Sequence, residues 1–316
     1  MNESPAEILT LTLNPAVDLS TSVARVEPQT KLRCQTVRRD PGGGGVNVAR
    51  VLKRFGIDAA AIYPTGSSTG ELLARGMLHE NIKSIAIPIA GETREDFTVT
   101  ETETGNQFRF VMPGPALSQN EWHACLDAIE HHAPKPQIIV ASGSLPPGVP
   151  PDFYARAART AKKLGAKLVL DTSDKALAEA LKEGVWLIKP NLRELRELTG
   201  AELPDESSRI EAARILVRKA AAEIVALSLA EEGALLVTRD EAFRARAPAI
   251  RPVSTVGAGD SFLGGMVWRL ALGRDLGDAL RHGVAAGTAA LLSPGTELCH
   301  PDTVASLLPQ VSIEKI

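Results

Sequence analysis

The chain has 316 residues, of which 44% are hydrophobic and 23% charged, and its formal net charge is −3. These are the values of an ordinary globular protein, large enough for one extended domain or for two. The charge balance has no basic excess, which argues against nucleic acid and anionic membranes as partners. Apolar stretches stay far below the roughly 20 residues that span a bilayer, so we expect no membrane segment.

The cysteine pattern and the N-terminal sequence indicate a reducing compartment. Cys34, Cys125 and Cys299 are scattered and form neither a disulfide framework nor a CxxC pair. The first residues, MNESPAEILTLTL, lack the basic start and the apolar run of a secretory signal. We therefore expect free thiols and a cytoplasmic location.

In the first part of the chain, strand-like and helix-like segments alternate. A strand is predicted at 8–13, a helix at 46–55, a strand at 59–63 and a helix at 69–79. Two β-rich segments, at about 18–39 and 82–112, interrupt this pattern. The second segment has turn signals and alternating apolar residues, which predicts antiparallel strands. We expect the two segments to form a separate small sheet, inserted as a lid.

From residue 118 onwards, strands and helices alternate regularly. Helices are predicted at 118–132, 151–164, 174–183, 191–198, 207–222, 258–272 and 276–292, strands at 137–141, 167–170, 185–188 and 224–228, and a hairpin near 234–245. This pattern predicts an α/β fold with a doubly wound, mostly parallel sheet. Ligands of such sheets bind at the carboxyl ends of the strands, so the residues after each strand are candidates for a site.

The most specific local pattern is STVGAGDSF at 254–262. Its glycines allow a tight turn at a helix start, where the amides of Gly257, Ala258 and Gly259 could hold a transferring phosphoryl group. Asp260 in the first turn could orient a substrate hydroxyl and accept its proton. A glycine turn with an acidic residue that stabilises the helix start explains the pattern equally well, so both interpretations stay open here.

Two further motifs follow predicted strands or begin predicted helices. Asn191 and Glu194, in KPNLRE at 189–194, could hold the waters of a Mg²⁺ ion, although the same pair is typical of a helix capping box. The glycines at 42–45 with Asn47 could contact a polyhydroxyl ligand, or could be a flexible turn. Neither GxxxxGK[ST] nor GxGxxG occurs, which argues against a P-loop enzyme and a nicotinamide-dependent oxidoreductase.

Several charged residues have both a functional and a plain surface interpretation. Asp18 follows the first strand, where a carboxylate could bind two sugar hydroxyls. Lys31, Arg33 and Arg94 lie in the β-rich segments, where cations suit the phosphate group of a sugar phosphate. Taken one at a time, each is better explained as a turn residue or a surface charge.

Together, four segments resemble the PfkB (ribokinase-like) family of sugar kinases over essentially the whole chain. They are PGGGGVNVAR at 41–50, ASGSLPPG at 141–148, KPNLRE at 189–194 and STVGAGDSF at 254–262. The resemblance implies one ribokinase-like domain over 1–316, ATP as phosphoryl donor, Mg²⁺, and a homodimer that pairs through the lids.

Within the family, KLRC at 31–34 and FRFVMPG at 108–114 resemble the branch that phosphorylates fructose 6-phosphate to fructose 1,6-bisphosphate. LTLNPAVD at 11–18 is as similar to the 1-phosphofructokinases and tagatose-6-phosphate kinases. Those enzymes typically carry a lysine where this chain has Gly44. Phosphorylation of fructose 1-phosphate or tagatose 6-phosphate is therefore the alternative.

The resemblance also implies individual roles. Asp260 matches the proton acceptor, and Gly257, Ala258 and Gly259 match the anion hole. Contacts to the sugar phosphate are matched by Asp18, Lys31, Gly43, Gly44, Gly45, Asn47, Arg94 and Ser144. Contacts to ATP are matched by Lys189, Asn191 and Ser228, and the magnesium-linked acid by Glu194. The carbonyls of Ser254, Val256, Ala290, Ser293 and Gly295 match a potassium site. The chain departs from the family at Ala230, where a glycine is usual.

Overall fold

A large sheet and a small sheet organise the computed structural model, which describes residues 6–316; Met1–Pro5 of the predicted 1–316 domain lie outside the described residues. The strands are β1 (Ile8–Leu11), β2 (Ala16–Val23), β3 (Arg38–Gly42), β4 (Ala59–Thr65), β5 (Lys83–Pro88), β6 (Arg94–Glu101), β7 (Gln107–Phe110), β8 (Ile138–Ser142), β9 (Lys167–Asp171), β10 (Val185–Ile188), β11 (Ala222–Ser228), β12 (Ala234–Val237), β13 (Ala242–Arg246) and β14 (Ser312–Lys315). The helices are α1 (Gly44–Arg54), α2 (Ser67–His79), α3 (Gln119–Glu130), α4 (Phe153–Leu164), α5 (Asp174–Glu183), α6 (Leu192–Thr199), α7 (Glu206–Arg218), α8 (Ala258–Ala271), α9 (Leu276–Leu291) and α10 (Pro301–Leu307).

The large sheet has the order β14-β13-β12-β11-β10-β9-β8-β1-β4-β5. The strands from β11 to β5 are all parallel, and β12, β13 and β14 extend the edge in antiparallel fashion. The chain runs outward from β1 in one direction to β5, and then from β8 in the other. A crevice opens at such a switch point, above the carboxyl ends of β1 and β8. The predicted doubly wound, mostly parallel fold is confirmed.

The core lies on both faces of this sheet, which explains why its strands are nearly continuous apolar runs. Alternate residues of one strand join different clusters: Val140 belongs to the cluster that contains residues of α1, α8 and α9, and Ile139 to the cluster that contains residues of α3 and α4. α1 and α8 pack directly against each other; a Cβ on Gly264 would lie 2.5 Å from Val51. This contact sets the starts of the two helices side by side.

The small sheet has the order β3-β2-β6-β7, with β2 and β6 parallel and the outer pairs antiparallel. Its pairing register places Phe97 opposite Phe110, and Val99 opposite Phe108, on one face. Asp18 lies opposite Asp96 on the other face, because successive side chains of a strand alternate. One face is thus apolar and partly exposed, and the other is polar.

The predicted boundary of the second insertion is wrong at its start. Lys83–Pro88 pair with β4 in the large sheet, so the chain enters the small sheet only after Pro88. β5 is the edge strand and is covered on one face only, as its alternating exposure shows. Such a half-covered edge strand has the same alternating sequence as an antiparallel strand, so the sequence pattern alone did not separate them.

The C-terminal elements α10 and β14 were not predicted. α10 has seven residues, and β14 has four that are mostly exposed, so neither segment shows a clear hydrophobic periodicity. Among the helices within residues 6–316, none is long and apolar enough to cross a membrane.

Candidate active site

The motif at 254–262 forms the start of α8. Gly257 is the N-cap, with φ 74°, and its carbonyl accepts the first intrahelical hydrogen bond, from Ser261, at 2.8 Å. The amides of Ala258, Gly259 and Asp260 precede that bond and have no helical carbonyl to pair with. They lie at the positive end of the helix dipole, so the turn can receive an anion.

Asp260 lies in this first turn and is half-buried. Asn47 Nδ2, from α1, donates a hydrogen bond to Asp260 Oδ2 at 2.8 Å. Burial raises the pKa of Asp260 to about 6, and the negative charge of Asp171 acts in the same direction. The hydrogen bond from Asn47 and the charge of Lys189 limit this rise. A carboxylate with a pKa near 6 is ionised at neutral pH and still basic enough to accept a proton.

Lys189 lies beside the same turn. Its ammonium pairs with Asp171 Oδ1 at 3.1 Å, and a Cβ on Gly259 would lie 3.7 Å from Lys189 Nζ. Burial on its own would lower the pKa of Lys189, but the charges of Asp171, Glu194 and Asp260 outweigh it and raise that pKa. The side chain is therefore a fixed cation next to the free amides of α8.

Asn191 and Glu194 form the predicted capping box at the start of α6. Asn191 Oδ1 accepts from the Glu194 amide, and Glu194 Oε2 accepts from the Asn191 amide, both at 2.9 Å. Burial raises the pKa of Glu194. Within residues 6–316, no three His, Cys, Asp or Glu side chains cluster as a metal site. One half-buried carboxylate near the site fits Mg²⁺, which commonly keeps several waters and is bound through few protein oxygens.

The polar face of the small sheet contributes Asp18. Burial raises the pKa of Asp18 to about 7, and the charge of Asp96 acts in the same direction, opposed by Arg50 and Arg94. The charge of Asp260 also raises the pKa of Asp18, which places the two carboxylates within electrostatic range. A Cβ on Gly42 would lie 2.4 Å from the Asp18 carboxylate, so the glycine run begins directly against it.

The glycine run packs between the ends of β1 and β8. Gly43 has φ 110°, which disfavours any other residue, and Gly44 would meet Ser142 Oγ at 2.1 Å if it carried a Cβ. Gly45 would meet the Leu11 carbonyl at 2.5 Å. Glycines therefore let the backbone pack against the ends of β1 and β8 at a distance that leaves no room for a side chain.

Asn14 joins two of the predicted sugar-phosphate residues. The side-chain Nδ2 of Asn14 donates to Ser144 Oγ at 3.1 Å, and the backbone carbonyl of Asn14 accepts from Arg94 Nη2 at 3.1 Å. Arg94 also pairs with Asp96 at 3.2 Å, and its buried Nε has no partner among residues 6–316. A free donor held in place this way fits a phosphate oxygen.

Ser228 lies next to Asn191, to which it forms an isolated parallel bridge. Its amide donates to the Pro190 carbonyl at 3.0 Å. Ala230, where the family usually has a glycine, has φ 49°. The turn keeps its left-handed backbone although alanine is strained in it.

The five predicted potassium ligands lie on two adjacent segments. Ser254 Oγ donates to the Gly295 carbonyl at 2.6 Å, and the Ser254 amide to the Leu291 carbonyl at 3.2 Å. The Ala290 carbonyl accepts from the Ser293 amide at 3.0 Å. Val256 lies on the same turn, and its amide donates to Ser254 Oγ at 3.2 Å. The carbonyls of Ala290 and Gly295 each keep a second lone pair, which is the donor chemistry that a monovalent cation requires.

Lys31 and Arg33 are the predicted lid cations that the structure does not bring to the site. Both lie exposed between β2 and β3, and the part of the chain that the structure describes shows no hydrogen bond or ion pair from either side chain. Asp171 and Arg109 were missed. Asp171 ends β9, so the rule of strand ends could have found it. Arg109 alternates with Phe108 and Phe110, which places it on the polar face.

Comparison with known proteins decides the family. A family model described as pfkB family carbohydrate kinase matches residues 10–303. This chain is a member of that family. One relative, the ATP-dependent 6-phosphofructokinase isozyme 2 of Mycobacterium tuberculosis (strain ATCC 25618 / H37Rv), is 44% identical to this chain, over 96% of this chain and 89% of that protein. A 1-phosphofructokinase of Bacillus subtilis (strain 168) is 32% identical, over 98% of this chain and 100% of that protein.

Solved PfkB structures agree with the fold. The crystal structure of phosphofructokinase-2 from Escherichia coli in complex with substrates and products matches with a TM-score of 0.92. It is 38% identical, and the match covers 96% of this chain and 99% of that chain. Another structure of the same enzyme is a tetrameric inhibited form.

Proposed function

We propose that this protein transfers the γ-phosphoryl group of ATP to fructose 6-phosphate and forms fructose 1,6-bisphosphate. The observation that carries the proposal is the start of α8, where free amides and a half-buried carboxylate of pKa about 6 lie side by side. The relatives that are 40–44% identical and bear the name 6-phosphofructokinase support the choice of sugar phosphate.

The chemistry follows from the two halves of this turn. Asp260 holds the primary hydroxyl at C1 of the sugar and accepts its proton as the oxygen attacks the γ-phosphorus. The bond from that phosphorus to the bridging β,γ-oxygen breaks, and ADP leaves. The amides of Gly257, Ala258 and Gly259 face the charge on the moving phosphoryl oxygens, and Lys189 adds a cation beside them.

The remaining residues are proposed to bind the two substrates. Contacts to the sugar phosphate are assigned to Asp18, Lys31, Gly43, Gly44, Gly45, Asn47, Arg94 and Ser144. Contacts to ATP are assigned to Lys189, Asn191 and Ser228. For Lys31 this assignment requires the exposed loop between β2 and β3 to move towards the crevice, as a lid does.

Two cations are proposed. Glu194 would hold Mg²⁺ through water, and the ion would neutralise charge on the ATP phosphates when bound. The carbonyls of Ser254, Val256, Ala290, Ser293 and Gly295 would hold K⁺. Replacing KCl by NaCl at constant ionic strength tests the second site, and an unchanged rate in NaCl would contradict it.

The small sheet is proposed to pair with its copy in a homodimer. Phe97, Phe108, Phe110 and Val111 are 36–61% exposed on or beside its outer face. An exposed apolar face of this kind is rare on a monomer.

Gly44 distinguishes the proposal from the alternative, phosphorylation of fructose 1-phosphate or tagatose 6-phosphate. A side chain at position 44 would collide with Ser142 Oγ, so this crevice is built for glycine and not for the lysine typical of those enzymes. The test is ADP release with each of the three sugar phosphates. We expect the highest kcat/KM with fructose 6-phosphate. A clear preference for either competitor would assign the alternative, and no ADP release with any of them would reject the kinase function.

A further inference from the structure

A buried arginine lies one helical turn after Asn47 in α1. Arg50 is 1% exposed. Its Nη1 donates to the Pro41 carbonyl at 2.7 Å and to Asn47 Oδ1 at 3.2 Å. Nε and Nη2 donate to Glu80 Oε1 at 2.9 and 2.6 Å, and Nη2 lies 3.5 Å from Asp40. The guanidinium is therefore anchored from the end of α2 and from β3 at once.

These contacts decide which way the Asn47 amide points. A guanidinium has only donors, so it must face the oxygen of the amide, and the amide nitrogen then faces Asp260 at 2.8 Å. The reversed amide would set its oxygen against the carboxylate and its NH₂ group against the guanidinium. Both of those contacts are repulsive.

We propose that Arg50 is a positioning residue that fixes the Asn47 amide and thereby holds the Asp260 carboxylate in the orientation that receives the sugar hydroxyl proton. The inference rests on the proposed kinase function. Arg50 acts through Asn47, and its anchors are themselves held: Asp40 accepts from Thr296 Oγ1 at 2.8 Å and pairs with Arg38 at 2.7 Å. A base fixed in this way keeps a reactive geometry without reorganisation during the reaction.

Arg50→Gln tests this role, because glutamine can donate to or accept from Asn47 and no longer dictates the amide. The carboxylates left behind keep partners: Glu80 is 25% exposed to water, and Asp40 retains Arg38 and Thr296. We expect kcat with fructose 6-phosphate to fall about ten- to hundredfold, with KM for ATP unchanged.

Arg54→Gln is the matched control. Arg54 lies one turn later in α1 and donates to the carbonyls of Leu298 and Cys299, at 2.7 and 3.1 Å, without touching Asn47. It should retain kcat within about twofold. If Arg50→Gln is too unstable to assay, its combination with Glu80→Gln removes the carboxylate that lost its cation and carries the same test.

The dependence of kcat on pH separates positioning from a general loss of stability. Its acid limb is the fall of kcat at low pH, where the base becomes protonated. The Asn47 hydrogen bond lowers the pKa of Asp260, so a released amide lets that pKa rise, and the limb moves to higher pH in Arg50→Gln. The limb should not move in Arg54→Gln. Asp171 at the end of β9, Lys189 after β10 and Arg109 on β7 face Asp260 unchanged in both variants. Asp18 on β2 also stays in place, but Arg50→Gln removes a charge that lowers the pKa of Asp18, and the Asn47→Ala background measures this direct effect by itself.

A double-mutant cycle with Asn47→Ala completes the experiment. In the Asn47→Ala background, Arg50→Gln should lower kcat by less than about twofold and move the acid limb less than it does in the wild type, because only its direct effect on Asp18 remains. Equal losses in both backgrounds, or wild-type kcat and pH profile in Arg50→Gln, would overturn the inference. An unmutated protein without turnover of fructose 6-phosphate would instead reject the proposed function.

Discussion

Replacing the proposed base should stabilise the protein while abolishing its activity. Asp260→Asn keeps the size of the side chain and can still accept the hydrogen bond from Asn47. It removes the ionised carboxylate, and the amide that takes its place cannot accept the hydroxyl proton. We expect kcat to fall by several orders of magnitude, since both the general base and the group that orients the hydroxyl are lost.

The gain in stability follows from the raised pKa. Burial raises the pKa of Asp260 from about 3.8 to about 6, so ionisation is harder in the folded protein than in the unfolded chain. The difference of about two pH units corresponds to about 3 kcal/mol, and this penalty is complete above the folded pKa. It is roughly halved at pH 5 and vanishes below the unfolded pKa, where both states are protonated. Asp260→Asn should therefore raise the free energy of unfolding by up to about 3 kcal/mol at pH 8.

Urea denaturation at pH 8 and pH 5, with ADP release measured on the same preparations, tests this reasoning. Asp58→Asn is the control, since Asp58 pairs with Lys53 at the surface, which lowers its pKa, and its replacement should bring no gain. Asp260→Asn that is less stable than the wild type at pH 8, or equally stabilised at both pH values, would refute the electrostatic argument. Near-normal turnover in Asp260→Asn would refute the assigned role of the carboxylate.

Three further variants probe other parts of the molecule. Lys189→Met should raise KM for ATP and lower kcat about a hundredfold while KM for fructose 6-phosphate stays constant in steady-state kinetics; a change confined to the sugar would contradict the assignment. Ala230→Gly should raise the free energy of unfolding by about 0.5 kcal/mol in urea, because it relieves a left-handed alanine. Phe110→Glu should halve the mass measured by light scattering, and Leu78→Glu should not, since Leu78 lies on α2 and is already more exposed, at 73% against 50% for Phe110. A dimer that survives Phe110→Glu would exclude this interface.

The sequence was sufficient for the fold class and for most element positions in the large sheet. Strands such as 138–142 are buried on both faces and read as apolar runs, and the glycines and caps between them mark the turns. Local chemistry also identified the candidates Asp260 and Asn47, because each lies in the first turn of a predicted helix, and the family resemblance added Lys189. Periods and turns are properties of neighbouring residues, so they can be read from the chain alone.

Only the tertiary structure decided which of these candidates meet. Asn47 and Asp260 are 213 positions apart and lie in contact because α1 packs against α8. Packing of α1 against β3 and the end of α2 buries Arg50 and turns it towards the Asn47 amide, a role that no local pattern signals. Only the tertiary structure showed that β5 pairs with β4 in the large sheet, since a half-covered edge strand and an antiparallel strand have the same alternating sequence pattern. Contacts between distant segments depend on packing of the whole core, which local preferences do not encode.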